Sequence, residues 1–399
     1  MIRQMKFDRL ELSGSLGDLG TLLPIALGMI IINGLNPLGV FFSIGCAYIF
    51  TGLYFGITTP IQPMKVIGAY AIATGMTAQN ILASGILIGV LLLLIGITGA
   101  ITFIGRYIPK PVVRGVQLST GVLLISQGVG FIMGTSKFQL LKDAAEPYLS
   151  IQNLGPVPIG FVIGITAGFL TLALIDNRKI PAGLITVLGG WIVGWILGIH
   201  DELDKLQFGV YFPEFMPFAI PNASEFLFAM MVVVLPQIPM TLGNAVISYA
   251  DLSREYFGES SRRITYRSSC ISMAMINFFS FLWGGMPLCH GAGGLAAHYR
   301  YGARTAGSNL MIGTIFTVLA IFIGKDSITI LNLIPMSILG ILLFFAGAQL
   351  AMTVIDVENR KDLFVTIVMV GITLASNLAV GFIAGIIIAH ILRSEKFSV

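Results

Sequence analysis

Apolar runs follow one another along almost the whole chain, and they constrain its fold more than any other feature of the sequence. Of its 399 residues, 56% are hydrophobic and only 11% are charged, and the mean hydropathy is +0.90. A soluble domain carries about 25% charged residues. Backbone groups in lipid must be hydrogen-bonded within the protein, so apolar runs of this length are typical of membrane helices. The sequence therefore predicts an all-α, polytopic membrane protein.

Glycine, proline, asparagine and charged residues divide the apolar runs into fourteen predicted transmembrane segments. Their approximate bounds are 14–32, 38–57, 60–74, 79–104, 112–134, 156–175, 181–199, 226–250, 267–284, 286–298, 305–324, 332–354, 362–377 and 378–393. Segments 3 and 10 are too short to cross a bilayer as helices, and only Asn377 separates segments 13 and 14. The first 13 residues are too charged for the apolar part of a signal peptide, so we expect segment 1 to be retained.

The positions of lysine and arginine indicate how the segments are oriented. With the N-terminus in the cytoplasm, 18 of the 23 basic residues fall in cytoplasmic stretches and 4 fall outside, while Lys65 alone lies within a segment. Cytoplasmic loops carry the excess of positive charge in membrane proteins. We therefore expect a multi-pass protein of the cell membrane with both termini in the cytoplasm.

The fourteen segments form two halves of seven. The first half covers residues 1–200, an outer loop covers 201–222, and the second half covers 223–399. An odd number of spans in each half places the halves in opposite orientations, which predicts a 7+7 inverted repeat.

Proline interrupts segments 3 and 10, which occupy corresponding places in the two halves. Segment 3 reads TPIQPMK at 59–65, and segment 10 reads GMPLCHGAGG at 285–294. Proline is accepted in the first turn of a helix, and it pushes the preceding residue into an extended conformation. Each segment should therefore enter the membrane as a strand and become a half-helix near the middle. Paired interruptions of this kind indicate the substrate site of an inverted-repeat transporter.

Two helix starts that meet in this way would form a site for an anion. Each start has free backbone N–H groups and about half a positive charge. Glycine lets an anion approach the backbone, and neutral amides and hydroxyls can donate to its oxygens. The predicted substrate-binding residues of segments 3, 8 and 10 are Gln62, Pro63, Met64, Lys65, Gln237, Thr241, Asn244, Cys289, His290, Gly291, Ala292 and Gly293. An interhelical hydrogen bond is the alternative role for each polar member.

Three ionisable residues fall well inside predicted segments: Asp18, Lys65 and His290. Ionisable groups at this depth are costly and are functional candidates for that reason. Lys65 could add positive charge to an anion site or pair with Asp18. Asp18 and His290 are the candidates for a coupling proton, since histidine titrates near neutral pH, and a structural role is the alternative for both.

No pattern in the sequence indicates a resident metal or cofactor. The three cysteines, Cys46, Cys270 and Cys289, have neither a disulfide pattern nor the spacing of zinc ligands. No nucleophile, base and orienting group occur together at a recognisable spacing, so we do not expect an enzyme. The expected partners are a small anion and the lipid bilayer, and not a nucleic acid.

Four motifs in order resemble the molybdate transporter family, within the sulfate permease superfamily. They read GDLGT at 17–21, PIQPMK at 60–65, PQIPMTLGN at 236–244 and GMPLCHGAGGLA at 285–296, and the resemblance covers nearly the whole chain. It implies a core domain of segments 1–4 and 8–11, at about 10–105 and 226–325. It also implies a gate domain of segments 5–7 and 12–14, at about 106–200 and 326–395, through which a homodimer would form. Substrate would bind between the starts of segments 3 and 10.

Residues and resemblance together predict a secondary active transporter of a tetrahedral oxyanion, with molybdate first and sulfate or tungstate as alternatives. The resemblance implies elevator-type alternating access. Bringing an anion in against the membrane potential costs about 2.3 kcal/mol per charge per 100 mV, which favours proton coupling.

An anion channel or a sensor on the same scaffold is one alternative, and a nucleobase–proton symporter is another. Nucleobase symporters of this fold typically have acidic residues in segments 8 and 10, where this chain has Gln237 and His290. Typical sulfate permeases carry a STAS domain after the last segment. We expect none here, which favours the molybdate transporters.

Overall fold

The computed structural model describes residues 5–101, 109–175, 177, 181–199 and 209–393. Helices in its first half are α1 (Arg9–Ser15), α2 (Leu19–Ile31), α3 (Pro37–Phe55), α4 (Lys65–Thr74), α5 (Ala78–Thr98), α6 (Lys110–Met133), α7 (Lys137–Leu141), α8 (Ile159–Leu174) and α9 (Ala182–Leu197). Helices in its second half are α10 (Ala223–Ser261), α11 (Tyr266–Leu282), α12 (Ala292–Arg300), α13 (Ala306–Ile323), α14 (Ser327–Leu331), α15 (Met336–Ala351), α16 (Arg360–Ala375) and α17 (Leu378–Ile391). The short strands are β1 (Gln62–Pro63), β2 (Asn153–Leu154), β3 (Val157–Pro158) and β4 (Leu288–Cys289).

Each of the fourteen predicted segments overlaps one of these helices. Among the described residues, six helices are long and apolar enough to cross a membrane, or seven if α1 and α2, which meet at 45°, form one bent span. The structure is thus that of a mostly helical, multi-pass membrane protein. The count of fourteen spans stays a prediction. The orientation of the termini also stays one, because residues 1–4 and 394–399 lie outside the described ranges.

Helix boundaries follow capping residues that the sequence shows. The Asn36 side chain accepts a hydrogen bond from the Leu38 N–H at the start of α3, and α3 ends at Gly56 with a φ of 77°. Asn377 accepts from the N–H of Val380 and so starts α17. Segments 13 and 14 are therefore separate helices, because an asparagine cap satisfies N–H groups that a helix start leaves free.

Helix α10 combines α-helical and π-helical turns and ends in a 3₁₀ turn at Gly258–Ser261. The α-helical stretch Leu235–Met240 contains two prolines and lies between the π-helical stretches Met230–Val234 and Thr241–Ser248. Proline removes a backbone donor, and π-helical turns, which are rare, are frequently found at functional sites. This stretch lies against the start of α4, where the site is formed.

The tightest helix pairs join the two halves of the chain: α3 with α13, α5 with α11, and α6 with α15. Glycine permits this approach. A Cβ atom on Gly313 would lie 2.8 Å from the carbonyl oxygen of Gly45, and one on Gly340 would lie 2.6 Å from that of Gly128. Small residues at helix contacts are typical of membrane bundles. The halves are therefore interlocked rather than placed side by side.

Candidate functional site

The two proline-interrupted segments meet in the interior as an antiparallel pair of strands. In this pair β1 lies beside β4, with Gln62 opposite Cys289 and Pro63 opposite Leu288. The N–H of Met64 also donates to the carbonyl of Pro287, at 3.0 Å. Helices α4 and α12 begin directly after these strands, so their N-terminal ends lie close together in a buried position.

The extended chain before α4 is hydrogen-bonded by an amide from the other half of the protein. Asn309 of α13 accepts from the N–H of Thr59 and donates to its carbonyl, both at 2.8 Å. The Tyr48 hydroxyl donates to the carbonyl of Ile61 at 3.2 Å. Non-helical backbone at membrane depth requires such partners, because lipid supplies none.

An equivalent amide holds the chain before α12. Asn277 of α11 accepts from the N–H of Leu288 at 3.0 Å and donates to its carbonyl at 2.8 Å. Ser280 donates to the carbonyl of Met286 at 2.7 Å. Both approach strands are therefore fixed to neighbouring helices through their own backbone groups.

The start of α4 is capped by a side chain from α10. The amide oxygen of Gln237 accepts from the N–H groups of Val66 and Ile67, at 2.9 and 3.2 Å, and its nitrogen donates to the Thr241 hydroxyl at 2.9 Å. Gln237 and Thr241 were predicted to bind substrate. The structure gives both of them protein partners instead, and their contact with an anion stays a prediction.

The start of α12 has no such cap. Within the described ranges, the N–H groups of Ala292, Gly293 and Gly294 have no acceptor, and the first N–H to find one is that of Leu295, which donates to Gly291. Gly293 is exposed, and a Cβ built on it would meet no atom within 4 Å. Of the two helix ends, α12 therefore has the N–H groups that are free to bind an anion.

Asp18 and Gln62 form the polar centre of the site. Asp18 lies at the break between α1 and α2, and both of its carboxylate oxygens accept from Nε2 of Gln62 at 2.8 Å. Lys65, the first residue of α4, is half-buried nearby. The ion pairs found among the described residues join Asp356 to Lys110 and Arg114, so Lys65 and Asp18 are not in direct contact.

A cavity of about 350 Å³ opens onto this centre. Asp18, Gln62, Lys65 and Gly293 border it on one side. The residues that border it elsewhere are Gly17, Gly20, Thr21, Thr171, Ile175, Pro181, Ala182, Gly183, Ala296, Ala297, Arg300, Tyr301, Leu342, Phe345, Ala346 and Gln349. The sequence does not single out Thr171, Phe345 and Gln349, because none of them carries a formal charge and none lies at a break in its helix.

His290 is buried away from the cavity and has a partner at each ring nitrogen. Nδ1 donates to the carbonyl of Pro60 at 3.2 Å, and Nε2 lies 2.8 Å from the Ser272 hydroxyl. Its ring stacks on Tyr249, with 5.1 Å between the ring centres. These contacts are those of a residue that joins α12 to its neighbours.

The remaining predicted residues surround the paired strands. Pro63, Met64 and Cys289 are buried within or beside them, and the Cys289 thiol lies 3.9 Å from the Pro63 carbonyl oxygen. The amide nitrogen of Asn244 would lie 3.6 Å from a Cβ on Gly291. No group of three metal-ligating side chains comes together in the part of the chain that the structure describes.

Comparison with known proteins identifies the family of this chain. A family model described as "Molybdate transporter of MFS superfamily" matches residues 10–124 and 229–350, which include all four motifs. Molybdate transporter 2 of Arabidopsis thaliana is 32% identical over 410 aligned residues, covering 96% of this chain and 87% of that protein.

Solved structures show the same fold. The transmembrane domain of a cyanobacterium bicarbonate transporter, BicA, superposes with a TM-score of 0.69 at 15% identity, covering 96% of this chain and all of that one. Murine Solute Carrier 26 family member A9, an anion transporter in the inward-facing state, gives 0.65 at 16% identity, covering 98% of this chain and 69% of that one. The resemblance inferred from the four motifs is thereby confirmed, and the chain belongs to the molybdate transporter family.

Proposed function

We propose that this protein is a secondary active transporter that carries a tetrahedral oxyanion across the cell membrane. Molybdate is the first candidate, because relatives that match almost the whole chain are named for it, and sulfate and tungstate are the alternatives. The observation that carries the proposal is the uncapped start of α12, which borders a cavity that Lys65 borders as well.

The chemistry of this helix start suits an oxyanion. Molybdate has acceptor oxygens on every side, and α12 offers three successive N–H donors with the positive end of the helix dipole behind them. Gly293 leaves room for an oxygen to reach the backbone. Lys65 adds a formal positive charge, so the dianion would exchange its hydration shell for fixed donors and one cation.

Asp18 is the reason to propose proton coupling. It borders the same cavity, and two unit charges about 4 Å apart repel by about 4 kcal/mol at the effective dielectric constant of a protein surface. A proton on Asp18 would remove that repulsion when the dianion binds. His290 is the weaker candidate carrier, since both of its ring nitrogens are engaged outside the cavity.

We further propose that the fold contains fourteen spans in an inverted repeat and transports by elevator-type alternating access. The core would comprise α2–α5 and α10–α13, and the gate would comprise α6–α9 and α15–α17. The cavity supports this division, because its walls come from α2, α4 and α12 on one side and from α8, α9 and α15 on the other. Both termini would be cytoplasmic, and a homodimer would form through the gate.

Uptake by purified protein in liposomes tests the proposal. We expect saturable molybdate uptake that an inward proton gradient accelerates and that tungstate or sulfate inhibits. Lys65→Gln should raise KM, while Lys361→Gln, at the start of α16 and away from the cavity, serves as the matched control. Current that rises with driving force without saturation would indicate a channel. Inhibition by uracil would indicate a nucleobase symporter, and binding without uptake would indicate a sensor.

A further inference from the structure

Gln62 connects the carboxylate of Asp18 to the start of α12. Its side chain is 1% exposed, and its nitrogen donates to both oxygens of Asp18. Its oxygen, Oε1, is buried without a hydrogen-bond partner and lies where a Cβ on Gly291, the residue before α12, would be. An unpartnered buried acceptor is rare in proteins, and this one lies beside the proposed anion site.

The orientation of this amide follows from the charge on Asp18. An ionised carboxylate only accepts hydrogen bonds, so the NH₂ group of Gln62 must face it, and the carbonyl oxygen then faces the start of α12. In that orientation the oxygen of Gln62 repels the oxygens of an anion bound there. The protein as described therefore has Gln62 in the arrangement that opposes binding.

Protonation of Asp18 reverses the preference. A protonated carboxyl group has an O–H to donate, and the Gln62 oxygen can accept it after a half-turn about the last side-chain torsion, which is broad and roughly two-fold. The NH₂ group then points towards Gly291 and can donate to an oxyanion. One proton thus removes a negative charge and converts a repelling acceptor into a donor.

We propose that Gln62 is the coupling residue of this transporter, a relay that turns with the protonation state of Asp18 and so makes anion binding depend on a proton. This rests on the oxyanion transport proposed above and specifies how its site would be coupled. The balance is simple: Asp18 takes one proton from solution when the anion binds and returns it when the anion leaves. Linkage requires that the anion strengthen proton binding by the same factor as the proton strengthens anion binding.

Among the described residues, five other ionisable groups border the cavity or interact with Asp18. Lys65 of α4, Arg300 of α12 and Tyr301 border the cavity, and Tyr48 of α3 and Cys289 of β4 interact with Asp18 electrostatically. The turn of the Gln62 amide requires none of the five to move. Lys65 and Arg300 carry positive charge that attracts the anion in either orientation of the amide, so they add affinity without coupling it to the turn.

Binding titrations across neutral pH test the relay in detergent-purified full-length protein, with molybdate as the probe. For wild type we expect Kd to rise by about tenfold per pH unit on the alkaline side, with a proton taken up for each molybdate bound. Asp18→Asn has a neutral amide that can donate permanently to Gln62. It should keep molybdate binding with less than about a twofold change per pH unit, while losing proton uptake and uphill transport. Asp251→Asn, the same change at an exposed carboxylate outside the cavity, should behave like wild type.

Gln62→Leu separates the relay from proton coupling in general, and it supplies a second variant if Asp18→Asn does not fold. It should bind molybdate more weakly and lose most of the pH dependence. If Gln62→Leu keeps the wild-type affinity and pH dependence, the relay is wrong even though protons are coupled. An Asp18→Asn protein that keeps the wild-type pH profile, or wild-type binding without proton uptake, also overturns it. If wild type binds no oxyanion at any pH, the proposed function itself fails.

Discussion

At the scale of single residues, four side-chain amides supply hydrogen bonds that hold this site together. Gln62, Gln237, Asn277 and Asn309 each bind backbone or carboxylate groups that would otherwise be unpaired in the interior. An amide can donate and accept at once, so one side chain satisfies both the N–H and the carbonyl of a residue. It does so without a buried charge, which would be costly at this depth.

The cap on α4 gives the first prediction. Gln237→Ala removes the acceptor for two buried N–H groups, so we expect a loss of about 1–3 kcal/mol in stability, visible as a lower unfolding temperature in detergent. Gln237→Glu keeps an acceptor oxygen at the same position, and the positive end of the α4 dipole offsets part of the cost of burying its carboxylate, so it should lose less. Equal stability of the alanine variant and wild type would show that the cap contributes nothing.

Two neighbouring glycines give a matched pair of variants. A Cβ on Gly293 would meet open space, whereas one on Gly294 would lie 2.6 Å from Asp18 Oδ2 and 2.8 Å from Gln62 Nε2. Gly293→Ala should therefore fold normally, with up to about 1 kcal/mol of added helix stability, and raise KM by narrowing the anion site. Gly294→Ala should disturb the Asp18–Gln62 contact and reduce stability and uptake together. An unchanged KM in Gly293→Ala would argue against an anion at this position.

At the scale of elements, the important unit is the extended strand followed by a half-helix. Its sequence signature is proline just before the half-helix, with Pro60 and Pro63 in segment 3 and Pro287 in segment 10. It is readable because proline lacks a backbone donor and favours an extended conformation in the residue before it. What the strand is attached to cannot be read from the sequence. Asn309 lies 250 residues beyond Thr59 and resembles any polar residue within an apolar run.

Asn309→Ala tests that attachment. It leaves both backbone groups of Thr59 without their partner, so we expect a loss of about 2–4 kcal/mol in stability and loss of transport through displacement of β1. Asn359→Ala is the control, because it removes a single helix cap at the start of α16, where Asn359 accepts from Lys361. The control should lower stability by about 1 kcal/mol and leave transport intact. If both variants lose transport in proportion to stability, Asn309 has no special link to the site.

At the scale of the whole molecule, the cavity joins parts of the chain that are far apart in sequence. One wall carries the motifs at the interrupted segments, and those residues could be predicted because broken helices are visible in hydropathy. The opposite wall, with Thr171, Phe345 and Gln349, could not. Its residues are ordinary in their own helices, and only the packing of α8 and α15 places them opposite Asp18.

The sequence also left the role of Gln237 undecided. A neutral amide near a helix start suits an anion and a cap equally well, and the choice depends on which way the side chain points. The direction of the Gln237 side chain depends on how α10 is rotated at that position, which the two π-helical stretches on either side of it set. No residue pattern marks those stretches. The helices could thus be predicted from the apolar runs and the residues that divide them. The contacts that decide the role of each polar side chain could not.

Cysteine labelling tests access to the cavity. Ala296 borders it, so in a protein lacking Cys46, Cys270 and Cys289 we expect Ala296→Cys to react with a charged thiol reagent. Molybdate at saturating concentration should slow the reaction. Ala274→Cys, at a fully buried position on α11, should stay unlabelled. If molybdate leaves the labelling rate of Ala296→Cys unchanged, the anion binds elsewhere.

The pairing of β1 with β4 has a consequence for how the site can be emptied. The two strands share backbone hydrogen bonds across the centre of the protein, and each is also fixed to a helix of the interlocked bundle. Pulling α4 and α12 apart would leave those N–H and carbonyl groups without partners in a dry interior. The starts of α4 and α12 are therefore not expected to separate from each other to release an anion bound between them. In the transport cycle proposed above, the anion would therefore leave when the neighbouring helices move and uncover the paired strands and both helix starts together.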